Sequence, residues 1–347
     1  MWALENDTPF SAGRKWIRNR EGALVWVVAV KATYTIHPDG STELSKEQAE
    51  VELVPKYSGK PGESSLLYES DLPLAKLGTD VLVHGYAHAP PGTVTTQIDV
   101  VLRVERVSKI LRISGDRVWE KTPIGFAISE PTPFDKIPIQ YERAFGGRSD
   151  SRESDTRTAW EPRNPIGTGF ASRPEDALGL RLPNVESKRE MIDSWHSRPE
   201  PAGFGPISPD WSPRVEFAGT YDEDWQKNRF PLLPNDFSER FFQCAPPDQQ
   251  LQKFLRGGEL IELTNMTPNG ALRFTLPKIR LGFETYFAGT GVRHGATLHT
   301  LVIEPDVSRI ILVWHTALQC HSRAMRLDRT AIRQKRYINL TSNGGRC

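Results

Sequence analysis

Thirteen consecutive residues, LVWVVAVKATYTI from Leu24 to Ile36, confine this chain to a narrow set of folds. Valine, aromatic and β-branched side chains suit a pleated, buried surface, and the run stops at the turn signal His37-Pro38-Asp39-Gly40. It predicts a core strand followed by a tight turn. Further on, Ile98, Val100, Leu102 and Val104 alternate with Gln97, Asp99, Arg103 and Glu105, the period of a strand with one face on a core. Val81 to His88 reads as another strand, closed by Ala89-Pro90-Pro91-Gly92. Near the other end, Leu272, Phe274 and Leu276 alternate with Arg273 and Thr275, and the apolar runs LHTLVIEP and RIILVWHTAL follow. Both ends of the chain therefore read as antiparallel β. A strand, a proline-glycine turn and a second strand occur both at VLVHGYAHAPPGTVTTQIDV and at LIELTNMTPNGALRFTLP, which hints at two similar β units.

Between these ends, from about residue 145 to 250, proline, glycine, asparagine, aspartate and aromatic residues dominate, and no hydrophobic period of strand or helix persists. So long a connection without structure is improbable inside a compact domain, so it is expected to pack through its own aromatics on the β scaffold. Asp248 to Arg256, DQQLQKFLR, predicts a short amphipathic helix: Leu251, Phe254 and Leu255 share one helical face and Gly257-Gly258 stand ready to end it. The fold class expected is mainly β, with antiparallel sheets forming sandwich-like units from the N- and C-terminal parts, a loop-rich aromatic centre and few short helices. The divisions run 1–140, 141–250 and 251–340, with a flexible tail at 341–347, all in one integrated unit of 347 residues.

Lys+Arg 44 against Asp+Glu 43 leave a formal charge of +1, so no global basic field draws the chain to nucleic acid or an anionic membrane. No window resembles a membrane span or a secretory leader. The three cysteines, Cys244, Cys320 and Cys347, form no CxxC pair, which fits a reducing, cytoplasmic setting. Catalytic patterns are equally sparse: there is no GxSxG elbow and no phosphate-binding GxxxxGK[ST]. His84 and His88 share a face of the expected strand but fall short of the three or four ligands zinc needs, and His294, His299, His315 and His321 are irregularly spaced. No cofactor or metal is expected. The best acidic cluster is Asp222, Glu223 and Asp224 in GTYDEDW, where Tyr221 and Trp225 could stack on a sugar; the competing reading is a turn in which Asp222 caps backbone amides.

The stretch QYERAFGGRSDSRESDTRTAWEPRNPIGTGF, residues 140–170, concentrates aromatics and arginines around Gly146-Gly147. Rigid rings and planar guanidiniums are enriched at interface hot spots. A partner surface is accordingly expected from Tyr141 to Phe170 together with Trp211 to Trp225, drawing on Tyr141, Arg143, Phe145, Arg148, Trp160, Trp211, Arg214, Tyr221, Asp222 and Trp225. Arg143, Arg148, Arg152 and Arg157 would make it locally cationic and suited to a partner with acidic patches. The opposing possibility is that Trp160, Trp195, Trp211, Trp225, Phe204 and Phe217 mostly form a private core for the central loops.

Several landmarks occur together: Asn6-Asp7-Thr8-Pro9-Phe10, Lys31-Ala32-Thr33-Tyr34, Lys76-Leu77-Gly78-Thr79-Asp80, Gly85-Tyr86-Ala87-His88-Ala89-Pro90 and Gly115-Asp116-Arg117-Val118-Trp119. They continue with Tyr141-Glu142-Arg143-Ala144-Phe145-Gly146-Gly147, Asn164-Pro165-Ile166-Gly167-Thr168-Gly169-Phe170, Pro201-Ala202-Gly203-Phe204-Gly205-Pro206, Trp211-Ser212-Pro213-Arg214, Gly219-Thr220-Tyr221-Asp222 and Ala245-Pro246-Pro247-Asp248-Gln249-Gln250. In this order, over about residues 6–320, the chain resembles the domain-of-unknown-function family of bacterial type VI secretion adaptors, chaperones for effectors that carry a PAAR-type spike-tip domain. The resemblance implies a cytoplasmic, non-catalytic protein that holds a PAAR-domain effector and assists its loading onto the trimeric spike protein. It implies no reaction and supplies no binding residues. Some relatives carry a pentapeptide-repeat extension after this region, which these residues do not include. The alternative function is a carbohydrate-binding or carbohydrate-active β protein using the GTYDEDW loop.

Overall fold

The computed structural model describes residues 2–123, 125–149 and 159–335. The chain is mainly β, with two short α-helices, Pro174–Ala177 and Glu223–Asn228, and brief 3-10 turns among the described residues. Leu24–Ile36 is a single strand, and it is buried almost throughout because both its faces are covered. Trp26, Val28, Val30, Ala32, Tyr34 and Ile36 enter the main core, while Val25, Val27 and Ala29 enter a second, smaller one. A strand covered on both faces carries a continuous apolar run instead of an alternating one, which is why this run is so legible.

That strand pairs along its length with Arg309–Gln319, from Thr35 opposite Arg309 to Val25 opposite Gln319. The sheet around it has the order Ser11–Arg18, Leu24–Ile36, Arg309–Gln319, Thr297–Glu304, Asp80–Val83, and Thr42–Leu44 adds to the end of the long strand. A five-stranded antiparallel sheet runs Val185–Ser187, Val107–Ser114, Gln97–Val104, Leu260–Thr264, Ala271–Thr275. In Gln97–Val104 the expected alternation holds: Val100, Leu102 and Val104 are fully buried while Arg103 is exposed. A four-stranded sheet runs Ala3–Asn6, Leu327–Gln334, Leu281–Phe287, Thr290–His294. Each large sheet draws strands from both ends of the chain, and the main core joins all three through Val28, Leu102, Leu263, Phe283 and Ile332. No helix among the described residues is long and apolar enough to cross a membrane.

Three sequence expectations need correction. Val81 to His88 is two strands: Asp80–Val83 joins the six-stranded sheet, and Tyr86–His88 pairs with Lys136–Pro138. The hint of duplicated units therefore fails, because VLVHGYAHAPPGTVTTQIDV feeds different sheets while Leu260–Thr264 and Ala271–Thr275 form a true hairpin; turn chemistry alone makes them alike. The segment 248–256 is not a helix. Only Pro247–Gln249 turns, as a 3-10 element, and then tertiary partners take the backbone donors a helix would have used. Leu251 N donates to the Thr79 carbonyl at 2.9 Å and Leu255 N to Thr79 Oγ1 at 3.0 Å. The 341–347 tail lies outside the described residues.

Several aromatic residues of the central region are buried. Tyr141, Phe204 and Trp211 enter the main core, and Trp119, Phe145, Ala171, Ala177, Leu182 and Ile192 form a third cluster, against which Phe170 and Trp195 lean.

Candidate functional site

The double-glycine loop is built for close backbone packing. Gly146 and Gly147 lie at φ 149° and 99°, and a Cβ on either would collide with the carbonyls of Asn164 and Gly167. Fully buried Asn164 locks the crossing by donating from Nδ2 to the Tyr141 carbonyl at 2.7 Å and the Phe145 carbonyl at 3.0 Å. The loop is thus structural, and four of the expected contact residues are core residues. Tyr141 and Trp211 meet edge to face at 5.5 Å, Phe145 sits in the third cluster, and Arg214 is 5% exposed. The Arg214 guanidinium is consumed by the Phe241 and Ile207 carbonyls, each at 2.8 Å, and by Glu69 at 2.6 Å. Arg143, half-buried, donates to Asn184 Oδ1 at 2.8 Å. Arg148 and Trp160 remain exposed, opposite each other on a two-residue ladder. Arg152 and Arg157 lie outside the described residues.

The other half of the expected surface fares differently. Asp222 accepts from Trp225 N at 2.9 Å and caps the helix Glu223–Asn228. The Trp225 indole Nε1 donates to the Leu232 carbonyl at 2.8 Å, Arg229 Nε to the Leu233 carbonyl at 2.9 Å, and Thr220 Oγ1 to Asp236 at 2.7 Å. These bonds close residues 220–236 into a self-braced unit whose rings form a ledge. Tyr221 meets Trp225 at 4.8 Å and Trp225 meets Phe230 at 5.6 Å, both edge to face, with Tyr221 54% and Phe230 67% exposed. Partial burial, then the Asp236 charge, raises the Tyr221 phenol above its usual value. As a sugar site the cluster is poorly arranged: Asp222 is a cap, Glu223 pairs with Lys227, Asp224 accepts from Asn228, and the crossed rings offer no shared flat platform.

Leu233 of the same unit helps line an open groove of about 740 Å³. It is lined by Val25 and Ala317 at the end of the six-stranded sheet, by the apolar side chains of Leu74, Ala75, Leu77, Leu233 and Phe237, and by the charged residues Arg20, Glu21, Glu239 and Arg240. Deeper along the same sheet face, Leu72, Cys244 and Ala245 cover the strands. The groove is where that covering layer stops.

Sequence reasoning missed the groove and Phe230, whose only signal was an aromatic before the proline-bounded run Pro231-Leu232-Leu233-Pro234. It also missed a buried polar clamp beside the groove. Lys76 Nζ reaches Asp80 Oδ2 at 2.6 Å and Thr300 Oγ1 at 3.0 Å, while Gln243 Nε2 and Cys244 N both donate to Asp80, at 2.8 and 2.9 Å. Burial works against the Lys76 charge, but Asp80, with Cys244 and Glu69 adding to it, holds the ammonium above its ordinary value. The landmark Lys76-Leu77-Gly78-Thr79-Asp80 is therefore a staple that ties the groove wall to residues 243–244. His84 and His88 do not converge: His84 lies edge-on to Tyr68, whereas His88 bonds Asp306 at 2.9 Å. Among the described residues no group of three or more His, Cys, Asp or Glu side chains could hold a metal ion.

A profile of a family described as an uncharacterized protein conserved in bacteria (DUF2169) matches residues 21–315. No curated protein and no solved structure matches the chain.

Proposed function

The chain belongs to the bacterial DUF2169 family, and from that premise we propose that it is a non-catalytic cytoplasmic adaptor. In this reading it holds an effector carrying a PAAR-type domain and assists its loading onto the trimeric spike protein of a type VI secretion system. The observation that carries the reading is the ledge of Tyr221, Trp225 and Phe230, on a unit whose Leu233 also lines the apolar groove. Exposed rings on a unit braced by its own hydrogen bonds form a surface already in its bound shape, so little conformational entropy is lost on docking. The polar clamp behind the groove wall supports the same logic, since it fixes Leu77, which is 54% exposed at the wall. A binding role needs no reactive centre, and the acidic residues of the ledge serve as a cap and as helix-surface partners.

Co-expression with a PAAR-domain protein encoded beside this one, followed by purification through a tag on either partner, tests the proposal. A complex that survives gel filtration is expected. Two folded proteins that elute separately would overturn it.

A further inference from the structure

The charge around the ledge identifies the chemistry of what docks there, an inference that rests on reading the ledge as a partner surface. From residue 215 to 240 six exposed carboxylates, Glu216, Asp222, Glu223, Asp224, Asp236 and Glu239, face only three cations, Lys227, Arg229 and Arg240. Those cations are engaged: Lys227 with Glu223, Arg229 with the Leu233 and Arg20 carbonyls, and Arg240 over the Phe217 ring at 4.0 Å. Arg20 and Glu21 at the groove end pair with each other at 3.5 Å and cancel. Glu216 and Glu239 have no ion pair among the described residues. Residues 215–240 therefore carry a net charge of −3, three cations against six carboxylates, on a chain whose formal charge is +1.

We propose that the ledge takes a cationic, apolar segment of a partner protein, with lysine or arginine side chains seated over Tyr221 and Phe230 and aliphatic side chains entering the groove. An aromatic face attracts a cation through its quadrupole, at exposed sites as well as buried ones. The surrounding carboxylates steer such a segment and repel acidic ones, so specificity comes from both attraction and repulsion. This reverses the expectation, drawn from the arginines of residues 143–157, that the partner carries acidic patches. The alanine-sized floor at Ala317 and the open end of the sheet leave room for aliphatic side chains without moving the strands.

The test uses two fluorescent synthetic peptides of equal length, one alternating lysine with leucine and one alternating glutamate with leucine, titrated against the full chain. Three forms are compared: wild type, Phe230→Ala, and Glu223→Lys with Asp224→Lys, each first checked by thermal melt. The lysine peptide is expected to bind wild type at least about tenfold more tightly than the glutamate peptide, and to lose about tenfold with either variant and with added salt. Equal binding of both peptides, or lysine-peptide binding untouched by both variants, overturns the proposal. So does the failure of both peptides to bind; if the variants then shift the chain's own sedimentation, the ledge is a self-contact. Because no effector is used, failure here leaves the adaptor reading standing, and co-purification of the PAAR-domain protein tests that reading separately.

Discussion

Asn164 and Trp160 show how far residue type alone can mislead. Trp160 has the composition of an anchor and is 57% exposed, whereas Asn164 resembles an ordinary loop polar residue and is fully buried. Asn164→Ala removes two hydrogen bonds and takes the side-chain donor from the Phe145 carbonyl, while the Tyr141 carbonyl keeps Ala144 N, so it should cost about 2 kcal/mol. Trp160→Ala should stay within about 0.5 kcal/mol of wild type, since surface changes away from packed features cost little. Urea titration of both variants checks the pair, and equal losses would contradict a structural role for the loop. The cysteines give a second residue-scale prediction. Cys244 and Cys320 are buried and unpaired, and burial pushes the Cys244 thiol up to about 12. Neither should react with a thiol reagent until the chain is unfolded, and reducing agent should leave the melting temperature unchanged. Modification of Cys244 in the native protein, read by mass spectrometry, would refute this.

At the scale of elements, legibility follows the reach of the forces involved. Leu24–Ile36, Gln97–Val104 and the hairpin of Leu260–Thr264 with Ala271–Thr275 are readable because period and turn chemistry are local. Residues 248–256 mislead because Thr79, far away in sequence, claims their backbone donors, and no local pattern announces that. The ledge is half legible for the same reason. Tyr221, Asp222 and Trp225 sit in one short string, but the groove wall at Leu74 and Leu77 meets Phe237 only in the folded chain. The cap offers a test of this element. Asp222→Ala should destabilise the helix Glu223–Asn228 by about 1 kcal/mol, and it should weaken partner binding by letting Trp225 drift, without any contact of its own. Asp222→Asn, which can still cap, should restore the helix and most of the binding, short of the small share that one exposed carboxylate adds by charge. Loss of binding by the asparagine variant with an intact helix would assign Asp222 a direct role instead.

For the whole molecule, the buried histidines couple the fold to pH. His299 and His315 stack at 4.3 Å in the interior, and burial lowers both, with the neighbouring Lys76 charge adding to the effect; His315 falls to about 4. Burial likewise lowers His84 and takes His294 to about 4. Each therefore binds its proton more readily when the chain is unfolded. Stability is complete above the unfolded histidine value of about 6.5 and falls as pH drops from there toward about 4, by up to about 1.4 kcal/mol per pH unit for each group. Melting temperature should decline steadily from pH 7 to pH 5, and a flat profile would show that these rings are hydrated. The central claim, that the chain works by docking a partner on the ledge, is tested most directly by the affinity of a PAAR-domain effector for wild type and for Tyr221→Ala with Phe230→Ala, measured by calorimetry at equal melting temperature. The account predicts a complex that the double variant weakens by about 2 kcal/mol or more, roughly thirtyfold; undiminished binding by the folded variant would contradict it.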